Sequence, residues 1–415
     1  MIKFKLFQKI NLISNKQFFF NSLVLYYWIL MYVLPVEGSL QRLTPLYFAT
    51  ILPVYVYILL NLNSIIRHKW KKNGVSLIIF IILVTVISVL RFDVSTVIKL
   101  LSISLIILIL IKKEIKLSTG FLNFIFILSI VAGILSYYYG TNKFGFIPGM
   151  AKTNLLEGLG WRVSIFNTIP NSAFFSLLIF IINIFGKKEL NINRGLILLL
   201  SIYFLVLSGS RTAILIFINI IIVRVVIYYY GFYNVRKFMV LGFSLLSFSI
   251  CIFYFNSFTL VLYKLDNTFI NSLVFKSKDV IKNKEELEIN NYRTWIWEKH
   301  ISIYSNKPIF GHGDYNIRSF LLEKEKTNKT NFSESFLTDT LVKVGLLIIP
   351  FLLFFYFTMK ASIEDNHPVI YCIAISLIIL MLSYGSFFVP YNFMFLVFVG
   401  RLFESDNYLK SHSNG

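Results

Sequence analysis

Two cysteines stand in the whole chain, Cys251 and Cys372. Both lie inside apolar runs and neither has ligand spacing, which excludes a disulfide framework and a thiolate metal site. Charged residues are scarce as well, at 14% of 415 residues. There is no Walker loop, no GxGxxG and so no nucleotide pocket to read. No HExxH, DxD or paired-carboxylate spacing stands out among the residues expected outside the membrane, so neither a metal nor another cofactor is expected. Any reaction must therefore draw on a bond already activated in its substrate. Nor is there an internal repeat, or a soluble stretch large enough to fold alone. The first apolar run follows a basic stretch with no small-residue cleavage site after it, which argues against a removable signal peptide.

What is present in abundance is apolar surface. Hydrophobic residues make up 57% of the chain and aromatics 17%, and the mean hydropathy is +0.72. Apolar runs of roughly 15–23 residues recur along most of the length, each able to cross a hydrocarbon core about 30 Å thick. Spans are predicted near 18–36, 43–62, 75–91, 97–111, 120–139, 169–186, 195–209, 212–230, 238–256, 336–358, 368–388 and 389–403. The expected fold is an all-α polytopic membrane protein of about 12 transmembrane helices, with one large extracytoplasmic loop bearing short helices. The predicted divisions are 1–256 for the first nine spans, 257–335 for the large loop, 336–403 for the last three spans, and 404–415 for a cytoplasmic tail.

The net charge of +20 suggests nucleic acid at first sight, but its distribution does not. The longest polar segment, Ser257 to Glu334, is nearly balanced, with 12 Lys/Arg against 10 Asp/Glu. The excess sits in short loops: Lys3, Lys5, Lys9 and Lys16; Arg67, Lys69, Lys71 and Lys72; Lys112, Lys113 and Lys116; Lys187, Lys188 and Arg194; Arg236 and Lys237. The positive-inside rule then puts both termini in the cytoplasm, and Arg211 and residues 257–335 outside.

Arg211 lies in LSGSRTAIL, between two apolar runs. An arginine at a bilayer centre costs roughly 2.5–3.5 kcal/mol, less near the interface. A snorkelling side chain at a helix end would explain it. So would an anion site: Ser208 and Ser210 offer hydroxyls, Gly209 permits a sharp turn, and Thr212 could cap the next helix, whose N-terminus favours an anion. Arg293 lies in NYRTWIWEKH. Its helical periodicity runs from Tyr292 to Ser305 and puts Arg293, Trp297, His300 and Tyr304 on one stripe, ended by Asn306 and Pro308. It is either a solvated charge on a membrane-surface helix or a second guanidinium for the same anion. Arginine meets a pyrophosphate bidentately, as lysine cannot.

The remaining candidates are weaker signals. Arg162 and Asn171 lie in WRVSIFNTIPNS, where Pro-Asn at a span mouth reads as a helix start or as part of a site. His312 and Asp314 in GHGD either shape a turn or meet substrate, and Asp314 could cap a helix through Leu322 that carries Arg318. Glu334 in FSESFL precedes a span, so it could be half-desolvated, as a general base requires; an exposed cap is the plain alternative. His300, Glu298 and Glu37 complete the acids and bases on that side. Asn328 and Asn331 match glycosylation sequons, a pattern frequent by chance.

Taken together these blocks resemble the O-antigen ligase and polymerase family of bacterial membrane glycosyltransferases, from about Gly160 to Pro350. The carriers are WRVSIFNTIPNS, LSGSRTAIL, YRTWIWEKHISIYSNKPIFGHGDYNIRSF and ESFLTDTLVKVGLLIIP, in that order. The resemblance implies a multi-span, GT-C-like helical fold in the bacterial cytoplasmic membrane. It implies metal-independent glycosyl transfer on the outer face, with donor and acceptor glycans on undecaprenyl pyrophosphate. Arg211 and Arg293 match the arginines that are functional in the family. Ligases carry a histidine just before the span after the loop; here Phe332, Ser333, Glu334, Ser335 and Phe336 stand there. That departure favours a polymerase, with acceptor activation by Glu334 and substrate binding by Arg162, Asn171, Ser210, His312, Asp314 and Arg318. A ligase delivering finished glycan to lipid A core or protein, and a flippase for the lipid-linked unit, are the rival readings. Membrane lipid, a chain-length regulator and a flippase are the partners such a polymerase would take, and nucleic acid is not among them.

Overall fold

The computed structural model describes residues 18, 21–29, 52–53, 56, 59–60, 63, 70–92, 117–139, 169–185, 192–208, 210–231, 292–313 and 335–383. Among the described residues the secondary structure is helical, with no strand. The helices are α1 (Lys72–Leu90), α2 (Thr119–Tyr139), α3 (Ile169–Ile184), α4 (Ile192–Leu207), α5 (Arg211–Tyr230), α6 (Tyr292–Ser305), α7 (Phe336–Val344), α8 (Ile349–Glu364) and α9 (Pro368–Ser383). A 3₁₀ turn, Gly345–Ile348, joins α7 to α8.

Three stretches are long and apolar enough to cross a membrane: Lys72–Leu90, Thr212–Tyr229 and Phe336–Glu364. Thr119–Leu135, Ser172–Ile184, Ile192–Leu207 and Pro368–Met381 are shorter apolar helices. All seven fall on predicted spans. Residues 21–29 and the scattered positions described between 52 and 63 are helical too, within two more. The spans predicted at 97–111, 238–256 and 389–403 lie outside the described residues.

Helix α1 shows what solvent these helices are built for. Leu77, Phe80, Val84 and Ser88 are buried along one stripe. Val75, Ile79, Ile82, Val86 and Val89 are exposed on the others, and they are just as apolar. A helix facing water would carry polar residues there. An apolar outward face is stable only against lipid, and the protein is a membrane protein.

Helix α3 is the centre. Every residue from Ser172 to Ile182 is buried, as expected of a helix apolar on all sides. It packs on α2, α4, α5 and α9. Phe126 of α2 meets Phe175 of α3 and Phe204 of α4 edge-on, at 5.8 and 6.4 Å between centroids. One polar bridge crosses this apolar layer: Asn183 Nδ2 donates to Asn123 Oδ1 at 2.9 Å, and Asn123 Nδ2 returns the bond at 3.3 Å. Helix α9 continues the bundle to α8 and α7, and α8 pairs with α1.

The predicted span 336–358 falls within the apolar stretch Phe336–Glu364, but the stretch is not one rod. Gly345 has φ +62° and ψ −144°, a conformation outside the helix. Pro350, in the first turn of α8, has no N–H to return to Leu346. The chain bends there. Phe336 and Phe351 would stand about 22 Å apart on a straight helix, yet their ring centroids are 6.0 Å apart. Helix α7 therefore folds back toward the start of α8 instead of extending it.

Candidate functional site

Helices α4 and α5 are separated by three residues only, Ser208 to Ser210. Ser208 is buried; its hydroxyl donates to Leu205 O at 2.6 Å and accepts from Ser210 N at 3.3 Å. It stitches the turn, so the hydroxyl that the sequence offered to an anion is spent on backbone. Ser210, not Thr212, occupies the N-cap of α5, and its side chain makes no capping bond. Thr212 lies inside the helix. Ile214 N is the first amide to bond back, to Ser210 O at 3.0 Å. The amides of Arg211, Thr212 and Ala213 thus have no acceptor within the helix. Arg211 is the first residue of a 20-residue helix. An arginine at a helix start avoids the cost of the bilayer centre, and that helix end carries roughly half a positive charge of its own.

The level of Arg211 follows from ring contacts. Phe180 of α3 meets Phe217 of α5 at 4.7 Å between centroids. Farther along, the Arg224 guanidinium lies 5.6 Å from the Phe185 ring centroid. Both residue numbers rise together, so α3 and α5 run parallel. Counting back from these pairs puts Arg211 level with residues 172–174, three to five residues beyond the start of α3. The N-terminus of α5 is therefore recessed about 5–8 Å behind that of α3. Asn171 stands in the first turn of α3, nearer the rim of the recess.

A second assembly lies around α7. Ser335 caps it, accepting from Thr338 N at 3.3 Å while its hydroxyl donates to Met381 O of α9. Asp339 and Lys343 pair along it at 2.8 Å. Helix α6 packs on α7. Among the side chains described on α6, His300 and Ile303 are buried and Tyr304 is half-buried; of these, His300 and Tyr304 belong to the stripe read from the sequence.

The loop after α6 and the bend after α7 are interlocked by backbone. His312 N donates to Val342 O at 2.7 Å, Gly313 N to Lys343 O at 2.9 Å, and Leu346 N to Pro308 O at 2.9 Å. These bonds satisfy carbonyls that the end of α7 would leave open. Two glycines permit the approach. A Cβ on Gly311 (φ +70°) would lie 2.5 Å from Lys343 O, and one on Gly345 would lie 2.5 Å from Pro308 O. His312 Nε2 lies 2.8 Å from Ile303 O; a carbonyl only accepts, so this nitrogen carries the proton. This contact braces the turn, one of the two roles read for the ring. Sequence reasoning missed Gly345 as Gly311's partner, although a glycine five residues before Pro350 was visible as a break.

Of the remaining predicted site residues, Arg293 is the second residue of α6. The side chains of Arg211, Arg293 and Asn171 are not among those described. Arg162, Asp314, Arg318 and Glu334 lie outside the described residues, Glu334 directly before the Ser335 cap. Among the described residues no group of three or more His, Cys, Asp or Glu could hold a metal.

Fold and site together define a helical membrane protein with a recessed, anion-favouring helix N-terminus. Residues 196–353 match the family described as O-antigen ligase, and this match supports the resemblance to the O-antigen ligase/polymerase family read from the sequence. The matched segment takes in Arg211, Arg293, His312 and Glu334, and it leaves out Arg162 and Asn171. No curated protein matches the chain significantly.

Proposed function

We propose that this protein is a polysaccharide polymerase of the bacterial cytoplasmic membrane, joining lipid-linked repeat units on the outer face. The growing chain is held on one undecaprenyl pyrophosphate. A hydroxyl of a second lipid-linked unit attacks the anomeric carbon of its reducing-end sugar. The new glycosidic C–O bond forms as the bond from that carbon to the pyrophosphate oxygen breaks. The hydroxyl proton passes to Glu334, and the lipid pyrophosphate departs with the bonding pair. A single displacement inverts the anomeric centre.

The observation that carries this reading is Arg211 at a recessed, positively polarised helix start inside the family-matched segment. Charge accumulates on the pyrophosphate as it leaves, and fixed donors placed there lower the barrier. The packing of α6 on α7 supports bringing Arg293 and Glu334 to the same side. The C-terminal ends of both helices meet at the Gly311–Gly313 loop. Two helices that share that end and pack on each other run in the same sense. Arg293 is then about 15 Å back from Ile303, and Ser335, the chain neighbour of Glu334, caps the end of α7 far from the shared one. Arg162, Asn171, Ser210, Asp314 and Arg318 are assigned to the glycans and their pyrophosphates. Polymerase is preferred to ligase because a carboxylate, Glu334, stands where ligases carry histidine.

The test is reconstitution of the purified protein with a defined lipid-linked repeat unit and no added metal, reading product length on a gel. A ladder of products is expected. Transfer of preassembled glycan to lipid A core or protein, without a ladder, would make it a ligase. Movement of the unit across the bilayer without bond formation would make it a flippase.

A further inference from the structure

Far from Arg211, the last turn of α3 gathers a second pair of arginines. Arg194, at the start of α4, donates Nε to Asn183 O at 2.8 Å and Nη2 to the same oxygen. Arg224, on α5, lays its guanidinium over Phe185, 5.6 Å from the ring centroid. A helix C-terminus supplies only about half a negative charge, and an aromatic face less. Two full positive charges meet them there. Arg224 is exposed, on a helix apolar enough to cross a membrane, and it makes no ion pair among the described residues.

Position says which anion is at hand. Arg224 precedes the end of α5, Tyr230, by six residues, about 9 Å. Its guanidinium lies level with Phe185, the residue after α3 ends. Tyr228 and Tyr229, exposed one turn farther along α5, are the residue type that collects at headgroup level. An arginine within two turns of a span's end reaches the phosphate level by snorkelling, and a guanidinium meets phosphates with paired hydrogen bonds. We propose that Arg224 and Arg194, gathered at the C-terminal end of α3, bind the phosphate of an anionic phospholipid in the leaflet opposite Arg211. The site is independent of the glycosyl-transfer reading.

Native mass spectrometry of the delipidated full chain tests this, with phosphatidylglycerol, phosphatidylcholine and inorganic phosphate as probes. The unaltered protein should retain phosphatidylglycerol in preference to phosphatidylcholine. Arg224→Gln should weaken that retention about tenfold, the effect of one charged hydrogen bond lost, while Arg91→Gln at the end of α1 leaves it unchanged. Arg194 is kept intact because it caps α3. Equal retention by Arg224→Gln, equal loss in Arg91→Gln, no preference between the two lipids, or displacement by millimolar inorganic phosphate would each overturn the proposal.

Discussion

Arg211 and Arg293 are mounted in opposite ways. Arg211 opens a 20-residue apolar helix whose place is set by rings, chiefly Phe217 against Phe180 of the buried α3. Arg293 stands in the first turn of a 14-residue helix of nearly neutral hydropathy whose far end is tied to the bundle by backbone bonds through Pro308, His312 and Gly313. One mount depends on volume and the other on φ and ψ. The two should therefore fail under different substitutions, and that difference can be used to tell them apart.

The largest expected effect attacks the first mount. Phe180→Ala removes a fully packed ring between α3 and α5 and should cost about 3–5 kcal/mol of stability, seen as a lower midpoint in thermal unfolding in detergent. If the midpoint moves by less than the shift of an exposed control such as Ile82→Ala, the α3–α5 register described above is wrong. Next come the arginines themselves. Arg211→Ala and Arg293→Ala should each slow polymer formation about 10²–10³-fold, with membrane insertion and unfolding midpoint unchanged. Full-length polymer from either variant removes that arginine from the chemistry.

The second mount is probed by Gly345→Ala. The backbone conformation at Gly345 is nearly exclusive to glycine and costs other residues about 1–3 kcal/mol, before the clash with Pro308 O. Faster proteolysis between α6 and α7, with α1–α5 still resistant, is the expected readout. Protection equal to that of the unaltered protein would show that the interlock does not hold α6. The smallest effect belongs to Asn123→Leu. A hydrogen bond between membrane helices is worth about 0.6 kcal/mol on average, so a shift of a degree or two is expected. A collapse of α2 packing would mean that the Asn123–Asn183 bridge specifies the bundle and is more than a minor support.

Much of this architecture was legible in the sequence because the bilayer enforces its own pattern. Seven apolar stretches fall on predicted spans, and α6 runs from Tyr292 to Ser305 as its periodicity indicates. What hydropathy does not carry is backbone geometry. Residues 336–358 are apolar throughout, so nothing in their hydropathy separates α7 from α8; only Gly345 and Pro350 do. Thr212 looked like a cap because threonine caps helices well, but the three-residue turn hands that position to Ser210. For the candidate site, the residue types were readable while their levels were not. The recess at Arg211 arises from the relative register of α3 and α5, which no single segment encodes.

Gly313 is pinned to Lys343 O, and Ser335 to Met381 O. Residues 314–334 thus leave from one fixed post and return to another. The two posts hold opposite ends of one helix: Gly313 meets the last turn of α7 and Ser335 its first. A single change at either post, Gly313 or Ser335, would therefore loosen one end of α7 and leave the other held.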